Sequence, residues 1–431
     1  MEKSVKSVIL AAGKGTRMKS DIPKVLHKIF EKPLLGYVID EINKLDEIDE
    51  NYVIVGHCAE QVENFVKTNY INAKCRIQSP QLGTGHAAMQ AYDDLKGFDG
   101  DVLILCGDTP LITSETLKDF IAEHRKNNSS LTVMSAVFEN PSNYGRIIRD
   151  EKGNLKAIIE EKDANEEQKA VKEINTGVYL LKWSDLAPSF LSLDSNNAQN
   201  EYYLTDIVKW AINNGLKAQS YILKDNDESF GINSKVHLAQ AAKILQKRVN
   251  TKLLENGVTI VDPDTTYISS ETEIGADTII YPCTYISGKN KIGSNCKIGP
   301  FAHLRGDVTA GDFVRIGNFV EIKKSTIKNH TNVSHLSYVG DSELGSGVNI
   351  GAGTITANYN PVTKVKTKTI IKDGANTGSN SVLVAPVVLE ENAMCAAGSV
   401  ICKNIEAGAL ALTRSPLKIF KDWVKNRKEK K

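Results

Sequence analysis

Ile274-Gly-Ala-Asp-Thr-Ile-Ile280-Tyr-Pro-Cys-Thr-Tyr-Ile286-Ser-Gly-Lys-Asn-Lys-Ile292 places an isoleucine at every sixth position. Followed outward, the row takes in Ile268, Ile298, Leu304, Ala310, Ile316 and Ile322. Four residues after most of them stands something small or β-branched: Thr272, Thr278, Thr284, Cys296, Ala302, Val308, Val314, Val320, Thr326. A helix repeats every 3.6 residues and a strand every two, so neither makes such a row. A hexapeptide repeat does, with each hexad forming one flat face of a parallel β-helix and its aliphatic residue pointing inward. No coil buries its own apolar face alone, so the coils stand or fall together.

The row also breaks. Ile327, Val333 and Val339 come one residue early, and Leu344 and Ile350 slip once more. Between Thr356 and Ile370 it gives way to a polar loop with Asn358, Tyr359, Asn360 and Pro361, then resumes at Ile371, Thr377, Leu383, Leu389, Cys395 and Ile401. Local rules tend to be violated where function demands it, so the slipped coils are the first place to look for a site. Arg305, Lys323, His335, Tyr338, Asn349, Asn358 and Tyr359 gather there. Two cations at coil spacing ahead of a histidine and a tyrosine could hold a phosphorylated sugar beside a base. A lone histidine in such a loop is otherwise an ordinary polar surface residue.

At 431 residues the chain is too long for one ordinary core, which argues for two domains. A net charge of +1 gives no general attraction to nucleic acid, and the basic tail Lys425–Lys431 reads as a solvated, frayed end. Seven cysteines, an odd number without CxxC spacing, argue for a reducing compartment and against zinc. The apolar run Val8–Ala12 is too short for a membrane span. The expectation is a soluble cytoplasmic protein with neither nucleic-acid nor membrane partners.

Ahead of the repeats, segments that read as strands (Ser7–Ala12, Tyr52–Gly56, Val102–Leu105, Leu131–Val137, Thr176–Leu181) alternate with helical patterns. This α/β arrangement puts a site at the strand C-termini. Gly13-Lys-Gly-Thr-Arg-Met18 follows the first strand, and its glycines let backbone N–H groups approach an anion. It lacks the Walker pattern, and Met18 stands where a dinucleotide fingerprint has its third glycine. Taken alone it fits a tight strand–helix turn equally well. Cys106-Gly107-Asp108 closes another strand, where a carboxylate can hold Mg²⁺ or simply form a turn. Leu238, Ala241, Ala242, Leu245, Val249 and Leu253 recur at helical spacing before Gly257, which predicts a linker helix over 234–256. The expected domains are 1–233, this helix, and 257–431.

Leu10-Ala-Ala-Gly-x-Gly-Thr-Arg-Met with Pro23-Lys24 resembles the signature of the sugar-nucleotide pyrophosphorylases. The resemblance implies a Rossmann-like nucleotidyltransferase domain in which Leu10, Ala11, Ala12 and Gly13 wrap the triphosphate of UTP. Arg17 and Lys24 would then neutralise its charge. It further implies Gln78, Gln81, Gly83 and Thr84 at the uracil, Gly145, Glu160 and Asn175 at the amino sugar and ribose, and Asp108 with Asn233 on Mg²⁺. Cys106 stands where the family pattern commonly has tyrosine; it reads as a packing residue rather than a nucleophile.

Phe301-Ala-His-Leu-Arg305, Gly317-Asn-Phe-Val-Glu-Ile-Lys323, His335-Leu-Ser-Tyr338 and Asn349-Ile-Gly-Ala-Gly-Thr-Ile-Thr-Ala-Asn-Tyr359 narrow the match. Together with the first motif they resemble the family of bifunctional N-acetylglucosamine-1-phosphate uridylyltransferases/glucosamine-1-phosphate N-acetyltransferases, from Val5 to Pro416. That likeness implies a left-handed sense for the β-helix, a homotrimer, and acetyl-CoA and UTP as co-substrates. Glucosamine 1-phosphate and N-acetylglucosamine 1-phosphate would be the acceptors. Arg305 and Lys323 would grip the sugar phosphate, Tyr338 and Asn349 the sugar, with His335 as general base. Ala352, Asn358, Tyr359, Ser379, Ala397 and Arg414 would meet acetyl-CoA. Cys296 and Cys395 read as core residues, and direct transfer needs no acyl-enzyme. Three departures stand out: a β-helix about one coil shorter before Arg305, Gly306-Asp307 in place of Pro-Gly, and Asn376-Thr377 in place of an aromatic–aliphatic pair. The rival reading is a single-activity pyrophosphorylase whose β-helix serves assembly or regulation. A non-catalytic scaffold explains Lys24, Asp108 and Asn233 less well.

Overall fold

The computed structural model describes residues 4–428, so the last three residues of the basic tail lie outside the described residues. Two compact units divide the chain, Met1–Ile244 and Leu245–Lys431. The division falls inside the helix Lys235–Glu255.

In the first unit, Val5–Leu10 is the hub of a nine-stranded mixed sheet. It pairs in parallel with Ile48–Val55 and Asp101–Cys106. Glu173–Lys182 runs antiparallel between Asp101–Cys106 and Leu131–Val137. Alternate residues feed two cores, one with Val5, Ile9, Val53, Leu103 and Leu105, the other with Val8, Tyr52, Ile54, Val102 and Ile104. Both faces are thus covered, which is why these strands read as continuous apolar runs. The first strand ends at Leu10, so Ala11 and Ala12 already belong to the turn beyond the sheet.

The second unit is a parallel β-helix of three faces with nine, eight and seven strands, beginning at Thr259–Ile260, Tyr267–Ile268 and Thr272–Ile274. Along the first face Ile280, Ile298, Ile316, Val333, Ile350, Thr377 and Cys395 stack in register. These residues and their equivalents on the other faces form one continuous core. The C-terminal part of the helix closes the first coil. Gln246 Nε2 donates to the carbonyls of Pro263, Asp264 and Thr266 at 3.0, 3.0 and 2.7 Å, and Asn250 Nδ2 donates to Pro263 and Thr266 at 2.9 and 3.0 Å. Carbonyls that would otherwise be unpaired at an open coil end are satisfied this way.

All three breaks in the sequence rhythm fall at one corner, between the second and third faces. The turn Arg305-Gly-Asp307 becomes Lys323-Lys324 one coil later and Gly340-Asp341 after that, each a residue shorter. In the next coil the same corner carries the inserted loop 358–368. That loop folds back as a hairpin, with an isolated bridge between Tyr359 and Lys366 and Thr367 N donating to Asn358 O at 2.9 Å.

Candidate active sites

Beyond the ends of the parallel strands lies a cavity of about 510 Å³. Leu10, Ala11, Ala12, Gly13, Lys24, Gln78, Gln81, Gly83, Thr84 and Asp108 line it, ten of the residues expected at a nucleotide site. Lys14, Thr16 and Glu201 line it too, and no pattern in the sequence had singled out Glu201. The loop after Gln78 is stapled to the segment after Asn200: Gly85 N donates to Tyr202 O at 2.8 Å and Tyr202 N to Leu82 O at 2.8 Å. Gly83 sits at φ +108°, and a Cβ there would come within 2.7 Å of Tyr202 O, so the staple requires glycine. Gln78 braces the same loop by donating to Gly83 O at 2.9 Å.

Lys24 reaches across the cavity to pair with Asp108, and its Nζ also donates to Asn233 Oδ1 at 3.3 Å. Asn233 does not line the cavity itself, but its oxygen and that of Asp108 converge on one cationic atom. Two hard oxygens aimed at a single point suit Mg²⁺, which commonly takes one or two protein ligands and fills the rest with water and phosphate. Among the described residues no group of three or more His, Cys, Asp or Glu could form an all-protein cage. The residues fit a metal shared with a phosphate ligand.

Gly145, Glu160 and Asn175 come together one step away. Asn175 N donates to Gly145 O at 2.8 Å, and a Cβ on Gly145 would stand 3.4 Å from Glu160 Oε2. Glu160 lines a neighbouring cavity with Asp163, Tyr203, Thr205 and Asp206. Burial, followed by the nearby carboxylates, raises its carboxyl above the usual range, while the Thr205 hydroxyl donates to it at 3.3 Å. Cys106 bridges toward this group: a Cβ on Gly177 would lie 3.3 Å from its sulfur. Burial and then Asp108 push the Cys106 thiol up to about 12, which leaves it protonated and un-nucleophilic. Arg17 is exposed and outside the cavity, although its charge is felt at Tyr144 along with that of Asp108.

On the β-helix, Arg305 and Lys323 lie one above the other at the irregular corner, with Gly340 next in register. Arg305 pairs with Glu321 at 2.7 Å. The hairpin brings Lys366 to the same place, a residue that the sequence reading missed because only the fold of the loop delivers it. The Lys366 ammonium, then burial, Arg305 and Lys324, hold Lys323 below the usual lysine range. Cations forced together in this way call for an anion. Gly340 leaves a gap there. A Cβ on it would overlap the Tyr338 hydroxyl and come within 2.8 Å of Asn358 Nδ2, which donates to Asp341.

The other predicted residues occupy the opposite edge of the second face. The register of Asn332, Asn349, Asn376 and Met394 carries His335 onto Ala352, Ser379 and Ala397, one per coil. Gly353 N donates to His335 O at 3.3 Å, Asn380 N to Ala352 O at 2.7 Å and Gly398 N to Ser379 O at 2.8 Å. A histidine thus heads a column of small residues. Asn349 lies on the adjoining first face, while Tyr359 and Arg414 are exposed. His335 ends the strand Asn332–His335, before the corner at Leu336, and Gly340 ends the next strand, Tyr338–Gly340, at the following corner. One chain therefore gathers the cation corner and the histidine column separately.

Residues 6–241 match the nucleotidyl transferase family model, and residues 291–324 match that of the bacterial transferase hexapeptide (six repeats). Fold and sites thus define a nucleotidyl transferase joined to a hexapeptide-repeat transferase. The chain is 44% identical to the bifunctional protein GlmU of Clostridium novyi, with 99% of both chains covered. It is 46% identical to that of Thermoanaerobacter pseudethanolicus, with 98% of both covered, and 44% identical to that of Acetivibrio thermocellus, with 97% and 96% covered. It belongs to the GlmU family, and its fold is a nucleotidyltransferase domain followed by a left-handed β-helix. No helix among the described residues is long and apolar enough to cross a membrane.

Proposed function

We propose that the chain makes UDP-N-acetylglucosamine in two transfers at two sites. In the first, glucosamine 1-phosphate is held by Arg305, Lys323 and Lys366 through its phosphate and by Tyr338 and Asn349 through its sugar. His335 takes a proton from the C2 amine as its nitrogen attacks the thioester carbonyl of acetyl-CoA, and the thiol of coenzyme A leaves. A positioned base of this kind contributes about 10²–10⁴-fold. The donor lies along Ala352, Ser379 and Ala397, with Asn358, Tyr359 and Arg414 as further contacts. The observation that carries this reading is the column of small residues that the strand register places in line with His335, one per coil.

In the second transfer, an oxygen of N-acetylglucosamine 1-phosphate attacks the α-phosphorus of UTP and the bond to pyrophosphate breaks. The attacking phosphate is already anionic and needs no base, so the work is positioning and charge neutralisation. Gln78, Gln81, Gly83 and Thr84 read the base. Lys24, Arg17 and the loop after Leu10 take the phosphates, and Gly145, Glu160 and Asn175 take the sugar. Mg²⁺ on Asp108 and Asn233 would neutralise phosphate charge. A homotrimer suits the division of the acetyl site, since packing one chain's cation corner against another's histidine column would complete it. The setting is cytoplasmic. Asp108→Ala should abolish uridylyl transfer and leave acetyl transfer, and His335→Ala should do the reverse. Normal uridylyl transfer in the first variant or normal acetyl transfer in the second, followed by pyrophosphate and thiol release, rejects the corresponding site.

A further inference from the structure

Lys24 contacts both oxygens that fit a divalent cation, pairing with Asp108 and donating to Asn233 Oδ1 at 3.3 Å. An ammonium and a metal ion cannot share that point, because like charges at such separation repel and the two oxygens offer one convergence. Lys24 is partly buried, its side chain 16% exposed, and so is Asp108 at 14%, so their pairing is little screened by solvent. Lys24 also lines the nucleotide cavity, as do Gly13, Lys14 and Gly15 of the turn. A triphosphate entering there would offer the ammonium several anionic oxygens in place of one carboxylate.

We infer that Lys24 is an internal stand-in for the metal: it occupies the Asp108/Asn233 position in the free protein, suppresses cation binding there, and yields it when a nucleotide draws the ammonium away. The inference rests on the metal assignment of the uridylyl site. Its consequence is an order of assembly. Free protein binds a divalent cation weakly, and nucleotide and cation bind with positive coupling, since each relieves the cost that the other meets. Lys24 is then a switch between two ion pairs as well as a contact for the phosphates.

Mn²⁺ tests this without turnover, because water-proton relaxation and the electron-spin signal of the free ion report binding directly. Titrations of the full chain without nucleotide should show Mn²⁺ binding at least tenfold tighter in Lys24→Met than in wild type. Lys24→Gln, which keeps a polar side chain, should show the same gain, and adding Asp108→Ala to either should erase it. UTP should tighten Mn²⁺ in the wild type by more than in Lys24→Met. Equal Mn²⁺ affinity in wild type and both Lys24 variants without nucleotide overturns the stand-in role. If Asp108→Ala binds Mn²⁺ as tightly as wild type in the presence of UTP, the metal assignment itself fails, a separate result.

Discussion

Gly340→Ala tests the cation corner with a single methyl group. Gly340 is buried in the strand Tyr338–Gly340 and does not have positive φ, so alanine suits the backbone. Its Cβ, however, would overlap the Tyr338 hydroxyl and stand 2.8 Å from the Asn358 amide nitrogen. Both are ends of side chains, so they should swing aside while the coil stays intact. Displacing one hydrogen-bonding group costs about 1–1.5 kcal/mol, and two together about 2–3 kcal/mol. That corresponds to roughly a 30- to 150-fold loss in kcat/KM. Thiol release from acetyl-CoA with varied glucosamine 1-phosphate should show this loss, while pyrophosphate release in the same preparation stays at the wild-type rate. Unchanged acetyl-transfer kcat/KM would refute the view that Tyr338, serving the acceptor, and Asn358, serving the acetyl-CoA donor, are held in place beside this gap. A parallel fall in both activities would point to general unfolding instead.

Ser379→Leu fills the column below His335 and should raise KM for acetyl-CoA about tenfold or more, with KM for glucosamine 1-phosphate little changed; equal effects on the two substrates would remove the column from the donor path. His124 is buried in the first unit with Nδ1 2.7 Å from the Thr132 hydroxyl, and burial lowers its pKa to about 4. Between about 6.5 and about 4 the unfolded state binds the proton that the folded state refuses. Stability is therefore full above about 6.5 and falls by about 3 kcal/mol as pH drops toward 4. Denaturant titrations followed by Trp183 and Trp210 fluorescence should lose this component in His124→Gln; an unchanged pH profile would contradict it.

The β-helix was legible because its rule is local: Ile280, Ile298 and Ile316 recur at a fixed distance and need no partner elsewhere in the chain to be recognised. The two segments that line one cavity, from Leu10 to Lys24 and from Gln78 to Thr84, could be singled out because residues close in sequence bring their own backbone shape. Other contributors were hidden because their roles depend on distant segments. Glu201 enters the cavity through the staple between Leu82 and Tyr202, and Lys366 reaches the cations through a hairpin. Nothing near either residue in sequence announces its destination. The helix Lys235–Glu255, by contrast, was legible from its own apolar spacing, which needs no distant segment to be recognised.

A perfectly regular coil stack offers the same surface at every level, so it cannot by itself distinguish one level as a site. Two one-residue deletions and one insertion break that degeneracy, and all three fall at one corner. The deletions shorten the turn that follows Lys323 and the turn that follows Gly340, which stack in register, and the missing side chain of Gly340 leaves the room that the Tyr338 hydroxyl takes. The insertion in the next coil supplies Asn358 and Lys366 to the same gap. The inward residues Ile322, Val339 and Thr356 keep their places meanwhile, so the core passes through the break with its stacking intact. Length changes confined to a turn alter the outside at little cost to the inside, which is how a repeat built for uniform stacking can gather Arg305, Lys323 and Lys366 at one corner.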